Sequence, residues 1–189
     1  MKFDIQINEE KIHKIMNPNG DASLMSNILS DLSELKPIVS KLVDPEGYYT
    51  TADQKIYVVV TLGKQIDTYA ESLWTQNNYF MAMLHDQLLI QLLFDLSSEM
   101  YQHLREQAIF NNHGLSKRLT PGDELDLIDN LTILDHIESP VKCNEYAVLM
   151  PTRSLAYMYL IQDDFECNED INCGCCSNKS CYMRIQNEN

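Results

Sequence analysis

From Asn77 to Phe110 the chain reads NNYFMAMLHDQLLIQLLFDLSSEMYQHLREQAIF, more than 30 residues with neither Gly nor Pro. Helix breakers are missing and the apolar residues recur at three- and four-residue steps, so the spacing predicts one long amphipathic helix. At about 1.5 Å per residue such a rod spans a small domain, and the other elements must pack along it. QIDTYAESLW just upstream has a second helical pattern, so helix is expected from about Ile66 to Ala108. Before it stands IYVVVTLG, a β-branched run ending in Gly63 that reads as a central buried strand.

The flanks supply the remaining elements. KFDIQI alternates apolar Phe3, Ile5 and Ile7 with polar residues, which predicts a half-buried strand. Asn8, Glu9 and Glu10 suit the start of a short helix carrying Ile12, Ile15 and Met16, which NPNGD ends. Leu24, Ile28, Leu29 and Leu32 mark a second helix running toward Pro37, and IVSKLV after that proline is expected to be a strand. NNHGLSKRLTPGDELD has the composition of a loop, and LDLIDNLTILDHI returns to helical spacing until Pro140. EYAVLMP and SLAYMYLI read as an antiparallel strand pair around Pro151. Strands early and late with helices between them predict an α+β domain built on an antiparallel sheet and long helices.

A length of 189 residues suits one domain with a sizeable core, and 44% hydrophobic with 22% charged residues fits a globular chain. The net charge of -14 argues against nucleic acid, whose phosphates require clustered Lys and Arg. No window approaches the roughly 20 apolar residues of a membrane helix, and the charged MKFDIQINEEK lacks a signal-peptide core. A cytoplasmic location is therefore expected, with no membrane partner.

Four motifs, in order, carry a resemblance. VVVTLGKQIDTYAESLW, RLTPGD (Arg118 to Asp123), LMPTRSLAYMYL (Leu149 to Leu160) and a tail with Cys173-x-x-Cys176-x(4)-Cys181-Tyr182-x-Arg184 occur between about residues 55 and 184. Together they resemble the activation domain of cobalamin-dependent methionine synthase, and most closely its small stand-alone relatives. The family's loop reads Arg-x-x-Pro-Gly-Tyr and its later strand pair Met-x-Pro-x-Lys-Ser. Met150, Pro151, Arg153 and Ser154 fall on or near the second pattern, with Arg for Lys, and Glu145 sits where the family has Thr-Glu-Ser.

The resemblance implies S-adenosylmethionine at that loop, presented to the corrinoid of a partner protein so that cob(II)alamin is reduced and remethylated. Arg118 would then bind the methionine carboxylate, and Pro121 with Gly122 would shape the loop around the ligand. Guanidinium matches carboxylate bidentately, and Gly lets backbone approach a ligand. With the ligand there, the neighbouring Asp123, Glu124 and Asp126 would offset its sulfonium and ammonium charges. Asp123 stands where the family has Tyr, so one aromatic contact is lost. The competing reading of Arg118 is a surface loop cation paired with a neighbouring acid. Without the other methionine synthase modules the chain would meet its corrinoid methyltransferase in trans, as a subunit or reactivase.

Five of the six cysteines lie between Cys167 and Cys181. Thiolates at this spacing suit zinc or an iron–sulfur cluster, with Cys167, Cys173, Cys176 and Cys181 as the chosen set and Cys175 or Cys143 as alternative fourth ligands. Local disulfides or free thiols are the other readings. The chain thus divides into an activation-domain-like part, 1–164, and a Cys-rich tail, 165–189, of the same domain. A second function follows from the tail: a metal-binding redox or assembly protein. His85, Asp86, Glu99 and His103 form no ligand pair on the long helix, so the histidines are expected to be solvated or satisfied in the core. Met81, Met83, Leu84, Phe94, Met100 and Tyr101 are expected to be core. No nucleophile motif, phosphate loop or dinucleotide fingerprint occurs.

Overall fold

The computed structural model describes residues 1–163. Helices α1 (Glu9–Met16) and α2 (Ala22–Leu42) precede the hairpin β1 (Glu46–Ala52) and β2 (Lys55–Thr61). Helices α3 (Gln65–Thr75) and α4 (Tyr79–Phe110) follow, then β3 (Gly114–Leu115), α5 (Asp129–Asp135), β4 (Lys142–Cys143), β5 (Leu149–Met150) and β6 (Ser154–Gln162). The main sheet has the order β1-β2-β6-β3 and is antiparallel throughout.

The sheet is covered on both faces, which is why β2 is buried along nearly its whole length. Ile56, Val58 and Val60 face α1 to α4, and Tyr57 and Val59 face α5 and the small β4-β5 sheet. The same alternation divides β6, with Tyr157 and Tyr159 toward the helices and Ala156 toward α5. The long helix α4 lies in the larger core, burying Leu84, Leu88, Leu92, Leu96 and Met100. Met83 and Phe94, expected in that core, are 52% and 40% exposed, because α4 presents only part of its circumference to the sheet.

The hairpin β1–β2 went unread in the sequence. Its loop is Asp53-Gln54, both at positive φ (50° and 58°), the geometry of a two-residue type I′ turn. Gln at such a position gives little warning of a turn. At Gly47 an added Cβ would lie 2.8 Å from Phe3 and 3.1 Å from Met100, so the close approach of the N-terminal segment requires Gly.

Three expectations are corrected. IVSKLV is helix, since α2 continues through Pro37 to Leu42. Ile28, Leu32, Leu35 and Val39 keep one buried stripe going, while Pro37 and Ser33, whose carbonyl loses the N–H that residue 37 would have donated, both lie on the exposed side. EYAVLMP does not pair with SLAYMYLI: β5 pairs with β4, and β6 with β2 and β3. KFDIQI forms only a bridge, Lys2 to Glu46. Its alternation reports one-sided burial, with Phe3, Ile5 and Ile7 packed on the core. The backbone is held instead by buried Gln91 of α4, whose Oε1 accepts from Asn8 N at 3.0 Å and whose Nε2 donates to Gln6 O at 3.2 Å. Gln91→Leu, which strands both groups, is expected to lower stability by about 2 kcal/mol. Urea unfolding should show it, and hydrogen exchange should accelerate at residues 5–8.

Candidate ligand site

Arg118 lies on an irregular sheet edge. Leu115 pairs with Ile161 and Leu119 with Met158, four residue steps on the edge against three on β6. One residue is therefore extra, a bulge that re-aims side chains. Ser116 secures it: its N donates to Leu160 O and its Oγ accepts from Leu160 N, both at 2.9 Å.

The Arg118 side chain lies over the ring of Tyr157, with Cζ 5.3 Å from the centroid. Its Nη1 donates to Ser97 Oγ of α4 at 3.1 Å, and Ser97 is 3.3 Å from Tyr157 Oη. Burial pushes the Tyr157 hydroxyl up to about 12, against the opposing effects of Ser97 and Arg118, so the phenol stays neutral. Tyr157 therefore offers Arg118 a ring face and no counter-charge.

Among the described residues no carboxylate lies within ion-pair distance of Arg118. The local pairing expected of a surface cation goes to its neighbour instead: Lys117 Nζ is 3.3 Å from Glu124 Oε1, and Glu124 Oε2 accepts from Thr120 N. Thr120 O accepts from Asp123 N and Leu125 N, and Gly122 N donates to Leu125 O at 2.8 Å. Pro121 is bridged to Leu125. Gly122 has φ +87°, a conformation that favours Gly, and a Cβ built there meets no atom within 4 Å. The loop is closed on itself, with its Gly facing open space. Asp123 and Asp126 are exposed.

Two of the sequence motifs meet. Ser154 Oγ donates to Thr61 Oγ1 at 2.8 Å, and Leu62 N donates to Arg153 O at 2.9 Å, joining residues about 90 apart in the chain. After the cis Met150-Pro151 bond, Thr152 N and Oγ1 donate to Asp67 of α3 at 2.6 and 2.9 Å. Arg153 Nη2 pairs with Asp86 of α4 at 2.6 Å. Glu145 is exposed in the β4–β5 turn.

His85, expected to be solvated or satisfied, is neither. It is fully buried, its ring stands edge-on to Tyr69 with centroids 5.2 Å apart, and neither nitrogen has a hydrogen-bond partner among the described residues. Burial lowers it to about 4; Asp86 opposes this and Arg153 adds to it. His103 sits with Gln107 at 2.9 Å on the exposed side. A groove of about 600 Å³ lined by Asp4, Glu9, Asp95 and Glu99 contains none of the motif residues.

Ser97 escaped the sequence reading, and Asp86 was weighed there only as a metal ligand, not as the partner of Arg153. For Ser97 a signal existed: Leu89, Leu93, Ser97 and Tyr101 continue one i, i+4 series of buried positions, and a hydroxyl on such a stripe needs a partner. The proposed metal ligands Cys167, Cys173, Cys176 and Cys181, with Cys175, lie outside the described residues. Cys143 is a free, half-buried thiol, and among the described residues no cluster of metal-ligating side chains occurs.

No protein-family profile matches the chain, and no curated protein does. A solved structure is similar: the crystal structure of the MetH reactivation domain bound to AdoHcy, with TM-score 0.59 and 13% identity, over 84% of this chain and 71% of that one. The chain has the fold of the MetH reactivation domain. That fold carries the mixed helix and antiparallel sheet expected from the sequence. No described helix is long and apolar enough to cross a membrane.

Proposed function

We propose that this chain binds S-adenosylmethionine at the Arg118 to Gly122 loop and supports, in trans, the reductive remethylation of a corrinoid held by a separate methyltransferase. One observation carries the reading: a half-buried guanidinium, seated on Tyr157 and Ser97, without a carboxylate partner among the described residues. A cation held this way fits an incoming carboxylate, and guanidinium binds one through two parallel N–H bonds. The solved neighbour was crystallised with AdoHcy, which has the same amino-acid carboxylate.

When bound, S-adenosylmethionine supplies a methyl cation equivalent to reduced cobalt on the partner. This chain's own part is to hold and aim the ligand. Arg118 takes the carboxylate, and the turn at Pro121 and Gly122 offers an open backbone surface for the rest. The exposed Asp123 and Asp126 place negative charge in the loop that faces a sulfonium and an ammonium.

Isothermal titration with S-adenosylmethionine and with S-adenosylhomocysteine tests this directly. Saturable one-to-one binding of either is the expected result; no heat and no saturation with both would dismiss the reading. A mixture with a cob(II)alamin-loaded methionine synthase lacking its own activation domain, given a reductant and S-adenosylmethionine, should regain methylcobalamin absorbance only when this chain is present.

A further inference from the structure

We propose that Ser97 is a positioning residue for the ligand's carboxylate, acting through Arg118; the inference rests on the reading of Arg118 given above. The two adjacent serines of α4 make the case. Ser98 spends its hydroxyl on its own helix, donating to Phe94 O at 3.0 Å, as a helical Ser ordinarily does. Ser97, with no exposed surface, instead reaches across the fold to Arg118 on the sheet edge and Tyr157 on β6.

A hydroxyl can accept and donate at once, and this one does both. It accepts one N–H from Arg118 Nη1 and gives its own hydrogen to Tyr157 Oη. The hydrogen bond fixes the guanidinium in its plane, and the Tyr157 ring fixes the tilt of that plane. Among the described residues one of its five N–H groups is engaged, which leaves the others for a carboxylate. A long side chain already held in its binding posture loses less rotamer freedom when ligand arrives. Ala at 97 could neither accept nor donate, and Arg118 would keep its charge while losing its aim.

Ser97→Ala suits a helix interior, so the fold should persist. The probes are S-adenosylmethionine and its decarboxylated analogue, which differ only in the carboxylate. Wild-type protein should bind the first more tightly. Ser97→Ala should weaken S-adenosylmethionine about 5- to 10-fold and leave the decarboxylated analogue unchanged. The double variant Ser97→Ala/Arg118→Ala should bind no more weakly than Arg118→Ala alone, because the two act as one unit. Equal weakening of both ligands, or effects that add in the double variant, would make Ser97 a packing residue and overturn the proposal. Wild-type protein that binds both ligands equally would instead remove the carboxylate role of Arg118, on which the proposal stands.

Discussion

Arg118→Ala should weaken S-adenosylmethionine binding by at least ~100-fold, about 3 kcal/mol, while moving stability by only about 1 kcal/mol. The two numbers separate because the side chain makes few contacts that the fold needs. Its bond to Ser97 and its stacking on Tyr157 are lost, yet Ser97 and Tyr157 still bond to each other. No described carboxylate is left stranded, since none was paired with Arg118. The bound ligand, by contrast, would keep a carboxylate facing a neutral methyl group. Arg118→Lys should recover part of the affinity, because an ammonium restores charge and not the planar fork. Paired titration calorimetry and urea unfolding read the two effects. Affinity within two-fold of wild type after Arg118→Ala would end the assignment.

His85 sets the second large effect, on acid stability. The folded chain holds this imidazole neutral down to about 4, and the unfolded chain protonates it below its ordinary value of 6.5. Stability from this source is complete above pH 6.5 and is lost as pH falls toward 4. At about 1.4 kcal/mol per pH unit the loss approaches ~3 kcal/mol. Burial without a hydrogen-bond partner is the main cause; Arg153 adds repulsion, and Asp86 offsets part of it while also pairing with Arg153. His85→Leu keeps much of the volume, removes two unpartnered nitrogens and should be neutral or slightly stabilising at pH 7. Urea midpoints at pH 7, 5.5 and 4.5 should then fall less steeply in the variant than in wild type. Parallel decline of the two proteins would show that His85 does not drive acid unfolding.

What could be read in the sequence was whatever depends on neighbours along the chain. The breaker-free run gave α4 to within a few residues, and the β-branched run gave β2, because both patterns are dictated by local burial. The errors came where distant packing decided. Pro37 would end a solitary helix, but the stripe from Ile28 to Val39 lies against the core and carries α2 past it. The alternation of Phe3, Ile5 and Ile7 was read as sheet, although a Gln91 side chain supplies the hydrogen bonds that a neighbouring strand would have made. At the site, the loop holding Arg118, Pro121 and Gly122 was visible as a motif. Its seat on Ser97 and Tyr157 was not, because those residues lie 21 positions before Arg118 and 39 after it. The burial of His85 was legible, since it heads the buried series Leu89, Leu93, Ser97 and Tyr101, but its lack of a hydrogen-bond partner was not, because that depends on what the rest of the fold packs against it, Tyr69 included.

Helix α4 gives its own sequence an unusual kind of intolerance. Asp86 fastens the turn at Arg153, Gln91 fastens the N-terminal segment, and Ser97 fastens Arg118. All three depend on one rotational phase. A single residue inserted between Asp86 and Ser97 would turn the downstream half by about 100° relative to the upstream half, so at most one end could keep its partners. The outward positions, such as exposed Met83 and Phe94, are under no such restraint. Along this stretch the protein should accept a change of spelling far more readily than a change of length.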